Sequence, residues 1–84
     1  MSDEVGYKRL CWHSRRGMLE LDLILVPFIE NGYLHVDERQ QKQYEFLLEQ
    51  EDTDIFTWFL GSVPAPEGDL AEIVATIKAF NQGR

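Results

Sequence analysis

Residues 16–30 read Arg-Gly-Met-Leu-Glu-Leu-Asp-Leu-Ile-Leu-Val-Pro-Phe-Ile-Glu, and their placement on a helical wheel decides the fold class. At 100° per residue, Met18, Leu21, Leu25, Phe28 and Ile29 fall on one face, the pattern of a helix that buries one side. Arg16, Glu20, Pro27 and Glu30 lie opposite, together with Leu23, and Ile24 sits at the border. An apolar patch rimmed by charge is the composition of a docking surface. The alternative is that Leu23 and Ile24 pack beneath the first or last helix. Pro27 removes one helical hydrogen bond and crowds the carbonyl of Leu23, so a kink or break is expected there. Asp22 falls near the edge of the core face, where a carboxylate needs a partner. It is read as a structural clamp between the first two helices, with Arg9 and Trp12 nearby.

The flanking sequence repeats the helical pattern. Asp3 is a candidate cap for a first helix to about His13, with Tyr7, Leu10, Cys11 and Ser14 at helical spacing. Arg15-Arg16-Gly17 interrupts it, and Asn31-Gly32 resembles a left-handed end to the second helix. Asp37 and Gln40 fit a capping box for a third helix carrying Tyr44, Leu47 and Leu48. Glu51-Asp52-Thr53 introduces a short fourth helix containing Ile55, Phe56, Trp58, Phe59 and Leu60, stopped by Gly61. Trp58 is assigned a structural role. Pro64-Ala65-Pro66 is a turn. Asp69 and Glu72 suggest a second capping box, opening a last helix with Leu70, Ile73, Val74, Ile77 and Phe80. No stretch alternates as a strand would. The expectation is one all-α domain over residues 1–84, a bundle of about five short helices.

The chain has 84 residues, eight Lys and Arg, fifteen Asp and Glu, and one cysteine, for a net charge of −7. So short a chain builds only a thin core, with little room for an internal active-site cavity. The single cysteine and the lack of a leader-like apolar stretch suggest a reducing, cytoplasmic setting. The longest apolar run, Leu23 to Ile29, is too short to cross a membrane. The excess of acids argues against nucleic acid as a partner. Charge is nevertheless uneven. Lys8, Arg9, Arg15 and Arg16 precede a body with thirteen acids and four bases from Gly17 onward.

Catalytic and metal signatures are thin. His13 and His35 lack the spacing of a paired site, Cys11 has neither a partner cysteine nor an activating histidine, and the six glycines are isolated. No catalytic or metal-binding residue is assigned, and an enzyme is not expected.

Arg9-x-x-Trp12-x-x-Arg15-Arg16-Gly17-x-x-Glu20-Leu21-Asp22 resembles the SdhE family of succinate dehydrogenase flavinylation and assembly factors. A second block agrees: Leu47-Leu48-Glu49, the acidic turn at Asp52 to Asp54, then Ile55-Phe56-x-Trp58. The resemblance covers essentially the whole chain. It implies a small helical protein that binds the flavoprotein subunit of succinate dehydrogenase, or of fumarate reductase. There it would promote covalent attachment of FAD to that subunit. It implies that Arg16, Gly17 and Glu20 contact the partner; Arg9, Trp12, Arg15 and Leu23 are added as their surroundings. Gly17 would let two backbones approach, and Arg16 would fork to acceptors on the partner. A plainer role for Arg16 and Glu20 is an i,i+4 ion pair worth about 0.2–0.5 kcal/mol. No tightly bound cofactor is expected, only action on FAD held by the partner, and the protein is expected to be a monomer. An antitoxin-like regulator acting through protein–protein contacts is the alternative.

Overall fold

Local helix signals settle the architecture, and the computed structural model describes residues 2–83, with side chains from Gly6 onward. Five α-helices follow in order: α1 Ser2–Ser14, α2 Leu19–Asn31, α3 Glu38–Leu47, α4 Asp52–Leu60 and α5 Asp69–Gln82. A short 3-10 turn, Tyr33–His35, joins α2 to α3. No strand occurs among the described residues, and the all-α expectation holds. The expected cap at Asp3 lies outside the described side chains.

The helix ends correct several expectations. Asp37 caps α3 as its sequence suggests, accepting a hydrogen bond from the Gln40 amide at 2.9 Å. The Gln40 side chain does not complete the box; it crosses to Thr76 Oγ1 on α5 instead. At the start of α5 the cap position is Gly68, with no side chain to offer. Asp69 and Glu72 there form no capping box. Both accept from Nε2 of buried Gln43, at 3.1 and 2.9 Å, and so tie α5 to α3. Gly32 is not left-handed, with φ −114° and ψ −33°. Glycine is needed there for space: a Cβ would lie 2.7 Å from Phe28 Cδ1 and 3.1 Å from Phe80 Cδ1.

The core gathers on α2. Leu21, Leu25, Phe28 and Ile29 are buried, as the wheel predicts, and Met18 packs half-buried against them. Full burial of each such side chain stabilises by about 1.5–3 kcal/mol before entropy is counted. Tyr44 and Leu47 of α3, Ile55 and Trp58 of α4, and Leu70, Ile73, Val74 and Ile77 of α5 complete the interior. Phe28 links the layers, with ring centroids 5.2 Å from Tyr44 and 5.6 Å edge-on from Phe80. Such offset and T-shaped pairs add to simple burial.

Pro27 does not break α2, which runs unbroken through it. One turn before it, the Ile24 carbonyl takes a side-chain donor from outside the helix, Asn81 Nδ2 of α5 at 3.3 Å. Ile24 packs half-buried against the core, whereas Leu23 is exposed, so the two border residues divide between packing and surface.

Candidate functional site

Between α1 and α2 the chain must reverse within four residues, and the backbone there is specified residue by residue. Gly17 has φ +83°, a left-handed conformation that costs other residues about 1–2 kcal/mol. Met18 is extended, and α2 begins only at Leu19. Arg16 therefore precedes the helix, and the alternative i,i+4 pair with Glu20 does not form; its guanidinium pairs with Asp52 instead. The Arg16 amide donates to Asp22 Oδ1 at 2.8 Å, which fastens the turn to the first turn of α2. Asp22 thus clamps the junction, through the Arg16 backbone rather than through Arg9 or Trp12.

The Arg16 side chain points into the protein. Its Nε donates to Asp52 Oδ1 at 2.7 Å, and Nη1 donates to the carbonyls of His13 and Leu48 at 3.0 and 2.9 Å. Nη2 donates to the Gln50 carbonyl at 3.0 Å. Four of the five guanidinium donors are thus used within the chain. The side chain is only 15% exposed. The sequence-based expectation has Arg16 fork to a partner's acceptors; in this chain alone the fork closes on Asp52 and on the chain's own carbonyls. His13 and Leu48 lie at the ends of α1 and α3, where carbonyls lack helical donors and carry partial negative charge. Asp52 opens α4, where a carboxylate is favourable.

Beneath this knot the Tyr44 hydroxyl lies 2.6 Å from Ser14 Oγ, which donates to the Leu10 carbonyl at 2.8 Å. Because serine has one hydroxyl proton, Tyr44 must be the donor to Ser14. Burial pushes the Tyr44 phenol well above its ordinary range, against a smaller lowering effect from the Arg16 charge.

The other expected residues lie outward. Gly17 is exposed, and apart from its chain neighbours no atom of the described residues lies within 4 Å of where its Cβ would be. Within this chain, glycine answers to the backbone angle, and its outer side is open. Glu20 is exposed and makes no hydrogen bond or ion pair among the described residues. Trp12 is 76% exposed, Leu19 68% and Leu23 64%. Leu19 was not singled out by the sequence reading; its i,i+4 spacing from Leu23 places both on one helix face beside Glu20. Lys8, Cys11, Trp12 and Arg15 line a shallow pocket of about 250 Å³. Arg9 and Arg15 are exposed and make no ion pair among the described residues. Trp58, by contrast, is buried.

A groove of about 760 Å³ lies mainly between α1 and α3, with Tyr7, Leu10 and Leu48 among its lining. Glu38, Glu45 and Glu49 supply most of its charge, against Arg9 and Lys42. No group of His, Cys, Asp and Glu that could hold a metal ion occurs among the described residues. No helix there is long and apolar enough to cross a membrane.

The helical frame thus displays an open glycine turn, a glutamate unpaired among the described residues, and exposed Trp and Leu side chains. The chain belongs to the family described as flavinator of succinate dehydrogenase, which it matches over residues 8–81. It is 48% identical over 77 residues to the FAD assembly factor SdhE of Pseudomonas aeruginosa, covering 92% of each chain. To the factor of the same name from Vibrio vulnificus it is 40% identical over 73 residues, 87% of this chain and 85% of that one. The Shewanella oneidensis factor is 39% identical over 70 residues, 83% of this chain and 85% of its own.

Proposed function

We propose that this protein binds the flavoprotein subunit of succinate dehydrogenase and promotes covalent attachment of FAD to it. The observation that carries the reading is the display of Gly17 and unpaired Glu20 beside exposed Trp12, Leu19 and Leu23, in a member of this family. Covalent flavinylation is chemistry of the cofactor and its host, to which an added protein contributes position and electrostatics. By binding one conformer of the flavoprotein more tightly, the factor raises the population in which FAD and its acceptor side chain meet. FAD stays with the partner throughout, and this chain supplies no catalytic group.

In this arrangement Trp12, Leu19 and Leu23 bury apolar area, Glu20 supplies an acceptor, and Arg9 and Arg15 lie at the charged edge. The related flavoprotein of fumarate reductase is a second client, and the factor acts as a monomer in the cytoplasm. Family membership supports this reading and not the antitoxin-like alternative. The test compares wild type with Glu20→Ala by in-gel flavin fluorescence of the partner. Covalent FAD should fall with the variant while helical circular dichroism is unchanged. Full flavinylation with Glu20→Ala, or in the absence of the factor, would refute the proposal.

A further inference from the structure

Asp52 stands 36 residues beyond Arg16 and outside the R-G-x-x-E motif, yet it accepts from the Arg16 guanidinium at 2.7 Å. We propose that Arg16 and Asp52 are a positioning pair: they set the Gly17 turn from behind, and the turn and Glu20 meet the partner. The proposal deepens the flavoprotein-binding reading and rests on it for its functional part.

Three observations converge. First, the Arg16 side chain is mostly buried and its donors are occupied, so it has little left for a second protein. Second, Arg16 is held at both ends: its backbone by Asp22 of α2, its guanidinium by Asp52 and by carbonyls of α1, α3 and the α3–α4 turn. Third, the next residue is the positive-φ Gly17, and beyond its two chain neighbours nothing among the described residues lies within 4 Å of where its Cβ would be. With glycine free to take many conformations, the turn draws its definition from Arg16 on one side and from Met18 on the other. The Met18 carbonyl already accepts the Asp22 amide at 3.0 Å. A turn set before binding spares the complex the entropy of ordering it. Lysine would keep the charge of Arg16 but not the planar fork that reaches Asp52 and three carbonyls at once.

The experiment uses Asp52→Ala and Arg16→Lys in the full chain. Backbone amide relaxation of Gly17 is read on the protein alone; affinity for the purified flavoprotein subunit and its covalent FAD are read on the mixture. Each variant should keep its helical spectrum, loosen the Gly17 amide, and weaken affinity about tenfold, the factor that corresponds to about 1.4 kcal/mol. In a Glu20→Ala background, Asp52→Ala should weaken binding much less, because residues acting through one surface are not additive. An unchanged Gly17 amide would overturn the proposal, as would undiminished affinity with a loosened turn. Equal weakening in both backgrounds would also overturn it, marking Asp52 as an independent contact or a general stabiliser. If wild-type protein fails to raise covalent FAD, the flavinylation reading falls. The Gly17 amide still decides whether Arg16 and Asp52 position the turn.

Discussion

Tyr44 of α3 donates its hydroxyl proton to Ser14 Oγ, the last residue of α1, and Ser14 is fully buried. Through Ser14 the bond continues to the Leu10 carbonyl, so one proton order runs from the core of the bundle to α1. This is the polar attachment of α1 to the helix beneath it.

The direction of that chain makes its two ends unequal. Tyr44→Phe removes a donor but leaves Ser14 bonded to Leu10, at a cost of about 1 kcal/mol. Ser14→Ala strands a buried phenol and should cost more, about 2 kcal/mol. Urea denaturation of the two variants checks the order. Equal losses would contradict the assigned proton direction.

Alkaline pH should unfold the protein through its tyrosines. Burial, then the Glu45 carboxylate, pushes the Tyr33 phenol up to about 12, and burial raises Tyr44 and Tyr7 as well. In the unfolded chain these phenols ionise near their ordinary value of about 10. The folded state therefore holds its protons more tightly, and its stability is undiminished below that pH. It is lost as pH rises from about 10 toward 12. Tyrosinate absorbance and helical circular dichroism should change together in that window, whereas fully exposed tyrosines would titrate first.

Gly17→Ala and Gly17→Arg separate backbone from surface. Both place a Cβ at φ +83°, and each should cost about 1–2 kcal/mol of stability. Alanine meets no atom of this chain, while arginine projects over the open face. Thermal melts should show similar losses. Binding of the flavoprotein should suffer far more from arginine than from alanine.

Gln43→Glu tests the α3–α5 joint. The Gln43 amide first, and the Arg39 guanidinium after it, hold the exposed Glu72 carboxyl below its usual range. A glutamate at 43 would set a buried carboxylate against Asp69 and Glu72, costing about 3 kcal/mol at neutral pH. Its own pKa would be raised, so the loss should shrink as pH falls through that raised value. Melting temperatures of wild type and variant should converge in mild acid.

The helices were legible because their signals are local. The core face of residues 18–29 and the Asp37 cap follow from period and side-chain type alone. The ends of α2 were less so: Gly32 is right-handed, and what calls for glycine there is the space taken by Phe28 and Phe80, the latter 48 positions away in sequence. Asp69 and Glu72 look like a capping box until Gln43 claims both. At the junction, the family resemblance marked Gly17 and Glu20 and the helical wheel marked Leu23, and the structure places all three on the surface. Neither signal showed that Arg16 turns inward. Its four acceptors include three backbone carbonyls, which no side-chain pattern marks, and Asp52, read as part of the acidic turn that introduces the fourth helix.

The span of the Arg16 contacts also orders events in time. Leu48, Gln50 and Asp52 lie 32, 34 and 36 residues downstream of the arginine. A chain emerging from the ribosome therefore exposes its recognition turn well before it has made the atoms that fix the turn's shape. The turn can set only once α3 is complete and α4 has begun. On the proposed reading, a nascent or truncated chain offers the client an unset turn, and firm engagement is reserved for a factor that has finished folding.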